Sequence, residues 1–332
     1  MQAEFAKGPK VVVIGGGTGS FTLLSGLKHY VRDLTALVNM ADDGGSTGQL
    51  RDELGALPPG DVRQCLVALS KSPQVRELFN YRFENGAFAG HAFGNLFLTA
   101  LEKMSGSFAK AVDVASEVLA IDGKVLPVTL SDITLSIQTD DGVVTKGEYQ
   151  ISDGEFSSQR PKIWLEPTAV LNPAVTEALE RADIIVIAPG NLYGSLAAAL
   201  IVPGMSEALV AAPGKKIYVA NLVTKPKQSD GFKVHDFAAE VERFVGRPFL
   251  DYVLYNTSKP DGELFEKYAK DKEFLVEADE EVLQHASYEA KGVDLLAFHD
   301  RNQQADPLTA KRSLIRHNGD AVARQIMKLY FS

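Results

Sequence analysis

With 332 residues, 45% of them hydrophobic, the chain has length for about two ordinary domains or one large α/β domain with an inserted lobe, and it is too apolar to be disordered. Its 43 acidic and 34 basic side chains give a formal charge of -9, and the bases are scattered rather than gathered into a stripe, which disfavours nucleic acid or anionic membrane as a partner. A single cysteine, Cys65, excludes an internal disulfide, and no apolar stretch before Val11 resembles a signal peptide, so a cytoplasmic location is expected.

The first predicted element is Val11 to Ile14, a β-branched run that is apolar on both faces, as in a strand buried within a parallel sheet. Glycines follow, and then Phe21, Leu24, Leu27 and Val31 recur at helical spacing. The glycine turn from Gly15 to Ser20 would let main chain approach a phosphate and present helix N-terminal N–H groups to it. Ser20 stands where a third glycine or alanine would complete a dinucleotide fingerprint, and no GK[ST] follows to make a P-loop. A tight turn packing helix on strand accounts for these residues equally well.

Leu34 to Met40 is a second strand, completing a βαβ unit whose crossover should be right-handed. It runs into Asp42 and Asp43, placed where Rossmann-like folds put the acid that binds a ribose diol, and also suited to Mg²⁺ beside a phosphate. A turn in which one aspartate caps Gly44 and Gly45 is the plainer alternative. Two adjacent carboxylates ahead of GGSTG exceed what a turn requires, so a functional role is favoured.

Pro58-Pro59-Gly60 is a turn, after which Asp61 should cap a helix carrying Val62, Cys65, Leu66 and Leu69 on one face. Cys65 there reads as a small buried hydrophobe, not a nucleophile. The loop from Gly90 to Asn95 sets His91 and Asn95 at a helix start, within reach of a ligand, although a lone loop histidine is more often structural. Between about 125 and 166 the period becomes two, with Ile133, Leu135 and Ile137 alternating and Asp140-Asp141-Gly142 as a turn, which predicts an antiparallel excursion.

Asn172-Pro173 reads as an N-cap with proline at the first helical position. Asp183 to Ala188 is another buried strand, followed by the loop Pro189 to Ser195 and a helix. The apolar region Leu192 to Met205 is broken by Gly194, Ser195, Pro203 and Gly204, so it is not expected to span a membrane. Lys216 to Leu222 and Asp251 to Tyr255 are further strands, and Asp320 to Tyr330 is the last helix.

In an open parallel sheet, ligands sit at the carboxyl ends of strands near the switch in strand order. The loops Gly15 to Ser20, Asp42 to Gly48, Gly190 to Ser195 and Asn221 to Thr224 fall at such ends, and the His91 loop could join them in one cleft. His29, His285 and His299 lack metal-ligand spacing, and Arg316-His317 is a weaker anion candidate whose expected role is surface solvation. No flavin, haem or zinc site is evident. No other acid, histidine or lysine stands beside the aspartates as a catalytic partner.

The blocks ADDGGSTGQLRDELGALPPGDVRQCLVALS, FNYRF, GHAFGNLFLTAL, DGVVTKGE, APGNLYGSL and IRHN resemble, in order, those of the CofD-like proteins, specifically the YvcK branch, or gluconeogenesis factor family. The likeness runs from about residue 10 to the C-terminus, so residues 1–332 are expected to be one domain holding the antiparallel insertion. It implies an α/β fold, a Rossmann-like three-layer sandwich with a mostly parallel sheet. CofD itself is a transferase that moves a phospholactate-type group from a nucleotide diphosphate donor to a deazaflavin hydroxyl with Mg²⁺. YvcK proteins are similar in sequence but implied to be cytoplasmic binders of a nucleotide sugar, UDP-N-acetylglucosamine, linked to gluconeogenic growth, cell shape and cell-wall synthesis.

Carried over by position, the nucleotide-binding residues implied by the resemblance are Gly16, Gly17, Thr18, Gly19, Ser20, Asp42, Asp43, Gly44, Gly45, Ser46, His91, Gly94, Asn95, Gly190, Asn191, Leu192, Tyr193, Asn221 and Thr224. Asp43 would position Mg²⁺ or act in catalysis if there is turnover, and a homodimer is expected. The family's GPGSLYTS reads APGNLYGS here, its TQPGET reads Thr224-Lys225-Pro226-Lys227-Gln228-Ser229, and Gln49 stands where an arginine is common. The second change loses an acid and adds two cations. GGGTGS also resembles the phosphate loop of tubulin and FtsZ, but that motif lies far into those chains, whereas here it follows the first strand.

Overall fold

The computed structural model describes residues 8–156, 160–260, 262–297 and 315–332. Its strands, in chain order, are β1 (Lys10–Gly15), β2 (Asp33–Val38), β3 (Lys124–Pro127), β4 (Thr134–Gln138), β5 (Val144–Lys146), β6 (Lys162–Glu166), β7 (Ile184–Ile187), β8 (Lys215–Val219), β9 (Tyr252–Asn256) and β10 (Glu289–Val293). All but β4, β5 and β6 form one seven-stranded parallel sheet in the spatial order β3-β2-β1-β7-β8-β9-β10. Strand order therefore reverses between β1 and β7, which makes that junction the switch point.

Residue choice explains the middle of this sheet. In β1 the run Val11 to Gly15 is buried throughout, and so is Ile184 to Ile187 in β7, because strands covered by helices on both faces need apolar side chains at every position rather than at alternate ones. The helices bearing on the site are α1 (Gly17–Leu27), α2 (Gly45–Leu54), α3 (Gly60–Leu69), α4 (Pro73–Asn80), α5 (Phe93–Ser105), α6 (Phe108–Val118) and α7 (Glu148–Asp153). Leu24 and Leu27 of α1 and Val62, Leu66 and Leu69 of α3 are buried in the core as the helical spacing required, joined by Leu23, whereas Phe21 is half-buried and Val31 is buried beyond the end of α1. Cys65 is buried and free, and burial pushes its thiol far up, which leaves no nucleophile.

The antiparallel excursion is real but shorter than expected. Strands β5, β4 and β6 form a three-stranded sheet of their own, whereas β3 pairs in parallel with β2 through Thr35 and Lys124 to Val38 and Pro127. Four residues reading KVLP are too few to show whether their period belongs to a one-faced or a two-faced strand, and Pro127 is tolerated because β3 is an edge. Asn172 does cap the following helix, its side chain accepting the Ala174 N–H at 3.1 Å with Pro173 next in line. Among the described residues no single helix is long and apolar enough to cross a membrane, and the apolar pair Leu192–Leu200 and Met205–Ala211 is bent by 74°.

Candidate functional site

The glycine turn lies at the switch point, and its close contacts decide what it can bind. A Cβ on Gly19 would fall 1.7 Å from the carbonyl oxygen of Pro189, so only glycine lets the start of α1 lie against the loop after β7. A Cβ on Gly16 would fall 2.1 Å from Oδ2 of Asp61. Asp61 is the second residue of α3, whose N-cap is Pro59, so it does not cap the helix as expected. Its buried carboxyl instead fills the glycine turn, accepting the Gly17 N–H, with the Asn39 amide beside it.

Further acids gather on the β2 side of the turn. Asp42 Oδ1 accepts the Gly44 N–H at 3.0 Å, the capping contact that the plainer reading of GG foresaw, and its carboxyl also takes the Thr47 hydroxyl. Asp43 Oδ1 accepts the Tyr149 N–H at 2.7 Å. Glu148, buried at the start of α7, accepts the hydroxyls of Ser152 and Ser195 at 2.8 and 3.0 Å.

Burial disfavours the charged forms of Asp61, Asp42 and Glu148, and the like charges nearby add to it. Asp61 is raised well above the usual carboxylate range by burial, then by Asp42 and Glu148. Asp42 is raised by burial too, despite its hydrogen bonds to Gly44 and Thr47. Burial and then Asp42 push Glu148 up to about 7.

The aspartates therefore do have acidic neighbours, contrary to the expectation from sequence. Asp61 was hidden by its plausibility as a cap. Glu148 arrives from the antiparallel insertion, in a segment whose Tyr149 bonds Asp43 across 106 positions, so spacing could not reveal it. The signal available was its place in the DGVVTKGE block. Among the described residues no group of three or more histidine, cysteine or acidic side chains is arranged to hold a metal ion.

Ser46, His91 and Asn95 are brought together as expected. Ser46 Oγ lies 3.0 Å from His91 Nδ1 and accepts from Asn95 Nδ2 at 3.2 Å. Asn95 Oδ1 accepts from Arg63 Nε at 2.9 Å, and Arg63 Nη1 donates to Asn80 Oδ1 at 2.5 Å. This chain locks α2, α3, α4 and α5 to one another beside the acids.

On the β8 side, Asn221 Nδ2 donates to the Gly190 carbonyl at 2.8 Å, and the Tyr218 hydroxyl donates to Asn221 Oδ1 at 3.1 Å. These loops open on a cavity of about 220 Å³ whose lining includes Thr18, Gly19, Gly190, Asn221, Arg316 and His317. Arg316-His317 is thus not the solvated surface pair expected. His317 is buried with Nε2 3.1 Å from the Ala220 carbonyl, and burial pushes its pKa down to about 4. An imidazole so placed stays neutral and donates to that carbonyl.

Not every residue carried over by position faces the cleft. Leu192 and Tyr193 turn into the core, where Tyr193 packs edge-on against Phe156 and Phe244 and its hydroxyl accepts the Arg160 N–H at 3.2 Å. Thr224 is buried, its Oγ1 accepting the Phe274 N–H at 3.1 Å. Gly190 lines the cavity, whereas Asn191 Oδ1 accepts the Gly194 N–H at 3.0 Å and its Nδ2 donates to the Ser152 carbonyl at 3.5 Å. His299 lies outside the described residues.

A parallel sheet with helices on both faces and polar loops converging on its switch point defines a doubly wound α/β protein of the Rossmann-like class, with a cleft where that class takes its ligands. The family profile described as 2-phospho-L-lactate transferase CofD matches residues 11–296. The chain belongs to the CofD-like family, in its gluconeogenesis factor (YvcK) branch. The gluconeogenesis factor of Bacillus subtilis is 37% identical over 324 residues, covering 97% of this chain and 98% of that protein. A relative from Thermotoga maritima is 40% identical over 324 residues, covering 96% of this chain and 99% of its own. The crystal structure of a UPF0052 family protein from Bacillus halodurans matches with a TM-score of 0.87 at 36% identity, over 96% of this chain and 99% of that one.

Proposed function

We propose that this chain is a cytoplasmic regulatory protein that binds a nucleotide sugar of the UDP-N-acetylglucosamine kind, or a related dinucleotide, and links carbon metabolism to cell shape and cell-wall synthesis. The observation that carries the reading is the cavity of about 220 Å³ at the switch point, whose largely apolar wall, with Pro189, Leu222, Val223 and Ile315, carries a few polar groups from Thr18, Asn221 and Arg316. Sugar and ribose hydroxyls suit the Asp42 and Asp43 side, where carboxylates accept from them, and the anionic part suits the cations on the β8 side. The names of the relatives, gluconeogenesis factor, support the metabolic link.

A thermal-shift series with UDP-N-acetylglucosamine, UDP-glucose, NAD, GTP and GDP, each with and without Mg²⁺, tests this, since stabilisation grows as the logarithm of ligand over dissociation constant. A selective shift with the UDP sugar and no product on long incubation is expected; no shift with any nucleotide sinks the proposal. The assembly, proposed to be a homodimer, is read from light scattering of the same samples.

Glu148 favours a second reading. With its pKa at about 7 it is poised to accept the proton of an acceptor hydroxyl, as a Mg²⁺-dependent 2-phospholactate-type transferase using a nucleotide diphosphate donor and a deazaflavin acceptor requires. A guanosine-selective, Mg²⁺-dependent shift followed by product formation would support it.

A further inference from the structure

Lys225 lies beyond the carboxyl end of β8, at the start of a turn in which the Gln228 and Ser229 N–H groups bond its carbonyl at 3.1 and 2.9 Å while Ser229 Oγ accepts its N–H at 2.8 Å. The turn is fastened on both flanks. Gln228 Nε2 donates to the carbonyls of Ile151 and Gly154 at 2.9 and 2.6 Å, joining it to α7, and the Thr224 N–H donates to the Phe274 carbonyl at 2.7 Å. Lys225 is thereby fixed beside the segment that carries Glu148.

The half-buried ammonium is faced by Asp153, Glu148 and Glu273, yet among the described residues it makes neither a hydrogen bond nor an ion pair. Other cations of the chain are engaged directly. Arg51 pairs with Asp132 at 2.7 Å, Arg63 donates to Asn95 and Asn80, and exposed Lys227 pairs with Glu155. Partial burial strips water from the Lys225 ammonium and holds its pKa below the usual lysine range, a cost that an incoming anion would offset.

The glycine turn is badly placed to receive that anion. The Gly17 N–H already donates to Asp61, and a Cβ on Gly16 would fall 2.1 Å from Asp61 Oδ2, so a phosphate set on the turn would meet a carboxyl. Asp42 and Glu148 lie beside it, and any ionised fraction of the three repels a second anion. Glu148 also faces Lys225, but there an ammonium offsets it, whereas the turn offers only the Asp61 carboxyl.

We propose that Lys225, and not the glycine turn, receives the phosphate or diphosphate group of the ligand, its ammonium donating to non-bridging oxygens without any covalent step. The identity of the ligand as a nucleotide rests on the function proposed above; the anion site does not. The test is calorimetric titration of the full chain with uridine diphosphate, uridine and inorganic pyrophosphate, using wild type, Lys225→Gln, Lys225→Arg and, as a control, Lys227→Gln. Losing a charge-assisted hydrogen bond should weaken uridine diphosphate and pyrophosphate by roughly tenfold to a hundredfold in Lys225→Gln. Lys225→Arg should keep most of the affinity, Lys227→Gln all of it, and uridine should bind every variant alike.

The proposal is overturned if Lys225→Gln binds uridine diphosphate like the wild type, a result that leaves the nucleotide reading standing. It is also overturned if Lys227→Gln loses as much, because attraction would then be diffuse. Pyrophosphate binding that depends on Lys225, without any uridine diphosphate binding, sustains the anion site and removes the nucleotide. If wild type binds neither anion, both fall.

Discussion

The two sides of the glycine turn are built from opposite electrostatics. On the β2 side, burial raises the proton affinity of Asp42, Asp61 and Glu148, and Asp42 adds to the rise at both Asp61 and Glu148. On the β8 side, Lys225 is faced by Glu148, Asp153 and Glu273 but lacks a direct partner among the described residues, Arg316 lines the cavity, and His317 is kept neutral. The turn between them, filled by Asp61, is a partition rather than a shared floor. Under the proposed function, that difference would set the polarity of a ligand, with hydroxyls toward the acids and the anion toward the cations.

The largest effect should come from breaching the partition itself. Gly19→Ala drives a Cβ into the Pro189 carbonyl, a backbone atom that cannot swing aside, whereas a Cβ on Gly190 meets nothing within 4 Å. We expect Gly19→Ala to cost on the order of 3 kcal/mol and Gly190→Ala to cost much less, measured by urea denaturation. Equal midpoints for the two variants would show that the turn and the β7 loop are not locked together.

The next effect separates the two sides by the sign of their pH dependence. Glu148 titrates near 7 in the folded protein against an ordinary 4.5, so the folded state holds the proton more tightly and stability falls as pH rises through that interval. His317 titrates near 4 against 6.5, so the unfolded state holds the proton more tightly and stability falls as pH drops through that interval. Glu148→Gln should therefore gain on wild type toward pH 7 and His317→Asn toward pH 4, each by about 3 kcal/mol at most. Denaturation midpoints at several pH values decide the matter, and gains that grow in the same pH direction in both variants would contradict the proposed contrast.

Sequence made the local parts of this arrangement legible and left the long-range parts dark. The buried runs of β1 and β7 and the Asn172-Pro173 helix start declare themselves because their causes lie within a few residues. Asp42 and Asp43 were visible for the same reason. The burial of His317 depends on Ala220, 97 positions away, and the fixing of Lys225 depends on Gln228 reaching Ile151, 77 positions away. Glu148 reached the acids only because the insertion folds back over them. No periodicity encodes such meetings, and Asp61 was misread because a helix cap and a turn-filling carboxyl look alike until the turn is built.

The smallest effect tests whether the acid side is held rigid by its polar surroundings. Ser46 Oγ contacts both His91 Nδ1 and Asn95 Nδ2, and all three residues are buried, so Ser46→Ala leaves two buried nitrogens without that partner. Arg63 still fixes the Asn95 amide from the other end, through its Nε bond to Oδ1. The expected loss is about 1 kcal/mol of stability, with a weaker response to the hydroxyl-bearing part of a ligand than to its phosphate. Matched titrations with uridine and pyrophosphate would show it, and equal weakening of both would mean that the serine braces the whole cleft rather than its acidic side.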